Sequence, residues 1–188
     1  AFAFIPARVT EAATIAASLP GGEGAAAWSF VTYALLHGDW THLIFNALWL
    51  AAFGSPLAWR FGTARFLLFS AAGAAAGAAT QLALHPAEMI PMVGASAAIS
   101  AHMAAAARFA LGSGGPLALG MRGTTSAWRQ PARPLSVVLR DSRVLTFLGV
   151  WFGLNLLIGL AGGNGGLVSG IIAWEAHIGG FLAGLVLF

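Results

Sequence analysis

Cysteine is absent from the chain, and charged residues make up only 8% of its 188 residues. Without cysteine there can be no disulfide, no thiolate metal site and no cysteine nucleophile. Lysine is missing as well, so the nine basic residues are all arginine. The scarcity of charge, with 59% hydrophobic residues and a mean hydropathy of +0.82, excludes an ordinary soluble domain and indicates a protein of the lipid bilayer.

Long apolar runs fill most of what remains and predict five membrane spans. They cover approximately residues 40–59, 66–84, 94–111, 144–160 and 167–188. The sequence therefore predicts an all-α fold, a polytopic membrane helix bundle in a single domain over residues 1–188. Residues 1–39, broken by Pro6, Pro20 and a Gly-Gly-Glu-Gly run, predict an interfacial region, and residues 112–143 predict a polar loop.

Arginine lies mostly on one side of these predicted spans. Eight of the nine arginines fall near residues 60–65 or between residues 108 and 143, whereas Arg8 falls on the other side. The positive-inside rule places residues 112–143 in the cytoplasm and the start of the third span at the non-cytoplasmic face. No basic run alternates with aromatic residues, which excludes a nucleic-acid partner, and nothing in the sequence indicates an oligomeric state. Arginine-only basic usage with abundant alanine favours a bacterial inner membrane.

The first candidate site residue is Ser96, which follows an irregular segment and begins an alanine-rich run. Gly94 allows a close turn of the backbone just before it. At a helix N-terminus, unpaired N–H groups and the helix dipole would stabilise an oxyanion formed on this serine. The alternative is a serine that caps a membrane helix beside a small-residue packing face.

Two further polar segments interrupt the apolar runs. His177 is a candidate base for Ser96, and Gly180 and Gly184 would let its helix approach the serine helix closely. If that helix begins at Leu167, His177 lies about 15 Å into it.

His42 and Asn46 lie four residues apart on one helical face, so their N–H groups can point at an oxyanion together with the Ser96 N–H. The alternative is that these side chains cross-link helices by hydrogen bonds. The histidines show no His-Glu-x-x-His pattern, and no metal or other cofactor is expected.

Taken in order, these motifs resemble the rhomboid family of intramembrane serine proteases over nearly the whole chain. The motifs are Trp28, residues 36–46 (LHGDWTHLIFN), residues 94–97 (GASA), and residues 176–180 (AHIGG) followed by Gly184. The resemblance implies an endopeptidase that cleaves transmembrane segments of membrane proteins, with Ser96 as nucleophile, His177 as base, and His42 with Asn46 at the oxyanion. It also implies a six-helix core, of which the five predicted spans are the second to sixth, with the first missing upstream.

The chain departs from the family pattern at two positions. Ala97 stands where the family usually has glycine, and Ser29 follows Trp28 where the family often has arginine. A catalytically inactive rhomboid-like protein that binds membrane proteins for quality control is the main alternative, and the four retained site residues argue against it. A channel or transporter is disfavoured by the lack of internal repeats. Residues 162–166 (GGNGG) predict either a movable cap over Ser96 or a simple turn.

Overall fold

The computed structural model describes residues 1–11, 18–111, 131–160 and 173–188, with the single residues 115, 117 and 129. Within these residues every regular element is helical, which confirms the all-α class. The helices are α1 (Pro6–Thr10), α2 (Gly24–Thr32), α3 (Trp40–Trp49), α4 (Ser55–Phe61), α5 (Thr63–Leu84), α6 (Ser96–Phe109), α7 (Leu135–Val138), α8 (Ser142–Leu160) and α9 (Trp174–Leu187). A 3₁₀ turn at Tyr33–Leu35 follows α2, and a π-helical turn at Leu50–Gly54 joins α3 to α4.

The first predicted span, residues 40–59, is helical throughout and ends at Phe61, two residues beyond the expected end. The chain stays helical through Gly54 and Pro56, although both residues are unfavourable inside a helix. Pro56 lies in the first positions of α4, where a missing N–H removes no helical hydrogen bond. The π turn just before it shifts the hydrogen-bonding register, so the proline causes no break.

One helix of the described residues, α5, is long and apolar enough to cross a membrane by length and composition. The described parts of α8 and α9 are apolar but shorter, and α3 and α4 are separated by the π turn. Large apolar side chains such as Leu68, Leu157 and Val186 nevertheless point away from the protein core, as they would towards lipid. The count of five spans stays a prediction.

The central helix is α6, and α9 packs along it in the same direction. A Cβ on Gly180 would overlap the backbone carbonyl of Ala97, and a Cβ on Gly184 would overlap that of Ala101. From the first contact to the second, the residue number rises by four on both helices, so α6 and α9 run parallel. Because neither glycine has a side chain, the two backbones approach closely, and the start of α6 lies beside the second turn of α9.

On its other side α6 packs against α5, which runs in the opposite direction. A Cβ on Gly77 would lie 2.5 Å from the Ala97 Cβ, and one on Gly73 would lie 2.7 Å from the Ala101 Cβ. Ala97 stands where the family usually has glycine, and its methyl group fills the space left by the missing side chain of Gly77. α6 is buried along most of its length between these neighbours.

The fifth predicted span needs a correction. Its helix, α9, begins at Trp174 and not at Leu167, because Ala173 has a non-helical backbone with φ −73° and ψ 71°. His177 thus lies one turn from the helix N-terminus instead of about 15 Å along the helix. Hydropathy could not mark this boundary, since the sequence is apolar on both sides of it. Glu175, an acidic residue in the first turn, is the sequence signal for the true start.

The N-terminal region packs on the segment that leads to Ser96. Phe4 is fully buried and exchanges both backbone hydrogen bonds with Met92, at 3.1 and 2.8 Å. Tyr33 accepts the Gly94 N–H at 3.1 Å through its carbonyl, and its hydroxyl donates to the carbonyl of Ala74 at 2.9 Å. Burial raises the pKa of Tyr33, so this hydroxyl stays neutral. These bonds fix the backbone just before the candidate nucleophile.

Candidate active site

Ser96 and His177 are in direct contact. Ser96 is the first residue of α6, and the Nε2 atom of His177 lies 2.7 Å from the Ser96 Oγ. The two residues are 81 positions apart in sequence and meet because the start of α6 packs against the first turns of the parallel helix α9. A hydroxyl at this distance from an unprotonated ring nitrogen can transfer its proton, which is the requirement for a serine nucleophile.

The other ring nitrogen of His177 contacts a residue that the sequence analysis missed. Its Nδ1 atom lies 2.6 Å from the Oδ1 of Asn155 on α8. The Asn155 Nδ2 donates to the carbonyl of Trp151 at 2.8 Å. A signal for Asn155 existed in the sequence, because it is an amide within an otherwise apolar predicted span.

His42 and Asn46 converge on the segment just before Ser96. A Cβ on Gly94 would lie 2.6 Å from the His42 Nε2 and 3.8 Å from the Asn46 Nδ2. Both side-chain nitrogens therefore point at the backbone two residues before the serine. The Asn46 Nδ2 also donates to the His42 carbonyl at 2.9 Å. Since the amide nitrogen carries two hydrogens, it can donate a second hydrogen bond.

Gly94 is required here for two separate reasons. Its φ of 119° is a conformation that residues with a side chain rarely adopt, and the His42 ring occupies the place of a Cβ. The sequence suggested a close turn, and the structure adds the packing of the imidazole against it.

Asp39 positions the helix that carries His42. It is the N-cap of α3, and its carboxylate accepts the backbone N–H of His42 at 2.8 Å. Sequence analysis gave this acid no role, although an Asp just before an apolar helix is a readable capping signal. Nearby, the ring of His37 lies 5.2 Å from that of His42. Burial, and to a lesser extent the neighbouring His42, lower the pKa of His37, which favours its neutral form.

The other acid near the site, Glu175, contacts His85 at 3.2 Å and so joins α9 to the segment after α5. Across the part of the chain that the structure describes, no three His, Asp or Glu side chains form a group that could hold a metal ion. Of the two departures from the family pattern, Ala97 packs against Gly77, and Ser29 is buried in α2. The predicted cap at residues 162–166 lies outside the described residues.

Comparison with known sequences bears on the function of this site. The profile of the rhomboid domain matches residues 24–188. A search among curated proteins finds no match. The matched range contains Ser96, His177, His42 and Asn46, and it leaves residues 1–23 outside.

Proposed function

Since the chain belongs to the rhomboid family, and is thereby a membrane protein, we propose that it is a serine endopeptidase that cleaves transmembrane segments of other membrane proteins. The observation that carries the proposal is the 2.7 Å contact between the Ser96 Oγ and the His177 Nε2. A pseudoprotease that only binds its partners has no need of a base in contact with its serine.

In the proposed reaction, His177 takes the proton of Ser96 as the serine oxygen attacks the carbonyl carbon of the scissile bond. The carbonyl oxygen becomes an oxyanion, which the Ser96 N–H and the side chains of His42 and Asn46 would stabilise by donating hydrogen bonds. His177 then gives its proton to the departing amine. Water, activated by the same histidine, hydrolyses the acyl-enzyme and frees the serine.

The substrate must present an extended backbone to Ser96. In a helix, each backbone carbonyl accepts a hydrogen bond and is screened by its neighbours, so it cannot approach the serine and the oxyanion donors together. We therefore expect cleavage near the end of a transmembrane segment or beside helix-weakening residues, with a small residue at the cleavage point, as family resemblance implies.

The site is proposed to open on the non-cytoplasmic side of a bacterial inner membrane. Arg108 lies in the last turn of α6, about 18 Å along the helix from Ser96. The arginine-rich segment containing the Arg133–Asp141 ion pair lies at that same end, where the Arg108 Nε donates to the Arg133 carbonyl. Arginine at this end favours the cytoplasmic side, which leaves Ser96 at the opposite one.

The cysteine-free chain allows this orientation to be tested with single cysteines. Ala87→Cys and Ser136→Cys place exposed thiols at the two ends of the molecule. In intact cells with a permeabilised outer membrane, an impermeant maleimide should label the first and spare the second until the inner membrane is opened. The reverse pattern would overturn the orientation.

Covalent labelling tests the proposed activity itself. A fluorophosphonate should label the folded protein at Ser96, and Ser96→Ala should abolish both labelling and cleavage of a transmembrane substrate. Ser55→Ala, which removes a serine on α4, is the matched control and should leave both intact. His177→Ala should also be inactive, and Ser96→Ala with His177→Ala should be no worse than either alone, because the two residues act as a unit.

A folded wild-type protein that neither labels nor cleaves any membrane protein tested in cells would instead support the inactive, binding-only relative.

A further inference from the structure

Both ring nitrogens of His177 are engaged, and they face different helices. Nε2 faces Ser96 on α6 at 2.7 Å, and Nδ1 faces the Oδ1 of Asn155 on α8 at 2.6 Å. A histidine held at both nitrogens cannot rotate without breaking one of these contacts. Asn155 therefore restricts the orientation of the residue assigned as the base.

The orientation of the Asn155 amide follows from its second contact. The Trp151 carbonyl can only accept a hydrogen bond, so the amide atom at 2.8 Å from it must be the nitrogen. The amide oxygen is then the atom that faces His177. Because an amide oxygen can only accept, the His177 Nδ1 must carry the hydrogen.

We propose that Asn155 is a positioning residue that holds His177 in the Nδ1–H tautomer, an inference that rests on the proposed protease function. A neutral imidazole carries one N–H, so a hydrogen on Nδ1 leaves the lone pair of Nε2 directed at the Ser96 hydroxyl. The opposite tautomer would present an N–H to Ser96 and could not accept its proton. It would also place two lone pairs against each other between Nδ1 and Oδ1.

The contact persists through the reaction. When His177 accepts the serine proton, its Nδ1–H still donates to Asn155, and the ring stays aligned to return the proton to the leaving amine. A neutral amide orients the imidazolium without the charge stabilisation that a carboxylate would add. Asn155 thus orients the histidine, as the third residue of a serine-protease triad does.

A purely structural role is the competing explanation, because Asn155 also fastens α8 to α9. One turn away, Phe152 packs edge-to-face on Phe181 with ring centroids 5.0 Å apart. This aromatic pair joins the same two helices and does not include either His177 or Asn155. Phe152→Leu is therefore the matched control for loss of helix attachment without loss of the Nδ1 acceptor.

The first test compares kcat and KM for cleavage of a transmembrane peptide. Asn155→Leu keeps the number and branching of the side-chain heavy atoms and removes the acceptor, and we expect kcat to fall by about 10- to 100-fold with little change in KM. Asn155→Asp restores an acceptor and should recover at least part of kcat. Phe152→Leu should lower thermal stability with kcat within about threefold of wild type. Equal kcat for Asn155→Leu and wild type, or no recovery with Asp, would overturn the inference.

The second test needs no variant of Asn155, so it holds even if Asn155→Leu does not fold. The ¹⁵N chemical shifts of His177 in the detergent-solubilised protein, assigned by comparison with His177→Gln, distinguish the two neutral tautomers. We expect a protonated Nδ1 and an unprotonated Nε2, and the opposite assignment would refute the proposal. Wild-type protein that does not cleave at all would refute the protease function and leave the tautomer measurement standing.

Discussion

The contact between Gly77 and Ala97 is open to a direct energetic test. A Cβ on Gly77 would lie 2.5 Å from the Ala97 Cβ, 2.9 Å from the Ala176 carbonyl oxygen and 3.1 Å from the Tyr33 hydroxyl. Neither of the first two atoms can rotate away, since one is fixed to the backbone and the other belongs to it. Gly77→Ala must therefore push α5 away from α6 and α9.

The size of the effect follows from two opposing terms. Alanine is a better helix former than glycine by about 1 kcal/mol. Overpacking a close interface costs about 1–3 kcal/mol, so we expect Gly77→Ala to destabilise the protein by about 0–2 kcal/mol net. Ala97→Gly alone should cost about 1 kcal/mol in helix propensity and some packing. The double variant loses the closest clash but keeps that with Ala176, so it should be more stable than the sum of the singles by about 0.5–1 kcal/mol.

Unfolding of the purified protein in mixed micelles, followed by circular dichroism, measures these differences. Gly149→Ala is the matched control, because nothing lies within 4 Å of a Cβ placed on this helical glycine. It should stabilise the protein by about 1 kcal/mol through helix propensity, and it should add to Ala97→Gly without coupling. If Gly77→Ala is as harmless as Gly149→Ala, or if the Gly77–Ala97 pair is strictly additive, then α5 and α6 do not pack closely at Gly77 and Ala97.

Three further predictions concern the site. His42→Ala and Asn46→Ala should each lower kcat by about 10- to 1000-fold while leaving fluorophosphonate-reactive, folded protein, and two silent variants would remove both residues from the oxyanion site. Gly94→Ala should abolish cleavage, because the new methyl meets the His42 ring, whereas Gly62→Ala also alters a glycine with positive φ, but in open space, and should cost only about 1–2 kcal/mol of stability. Gly180→Leu should separate α9 from α6 and prevent cleavage, and a fully active, equally heat-stable variant would contradict the parallel packing.

Much of the candidate site could be predicted from the sequence, because burying polar side chains in an apolar membrane protein costs free energy. Ser96, His177, His42 and Asn46 stand out for that reason, and glycines spaced four apart predict where helices approach. In the structure, these residues lie around the start of α6. The all-α class followed from the length of the apolar runs.

Other features depend on tertiary contacts that no local pattern encodes. The start of α9 was placed too early because apolar residues continue across the boundary. The π turn before Pro56 is a register shift, which hydropathy does not reveal. Asn155 was visible as an isolated amide, but its partner could not be known without the relative placement of α8 and α9. Such a pairing of residues 22 positions apart is set by packing alone.

The electrostatics of the site come from helices that begin near one another. α6 begins at Ser96, and α9 begins one turn before His177, with the two helices parallel. Each contributes the partial positive charge of its unpaired N–H groups. α3 begins two residues before His42, which packs against the same short segment before Ser96.

Two of these three helix N-termini already have a negative partner. Asp39 caps α3, and Glu175 lies in the first turn of α9, where it also contacts His85. The first turn of α6 contains no acidic residue, so its positive end is the one left without a carboxylate. An oxyanion formed at Ser96 would supply the missing negative charge at this helix end, and it would do so only while the tetrahedral intermediate exists. In the proposed reaction, the arrangement would therefore favour the transition state over the bound substrate, which is the condition for catalysis.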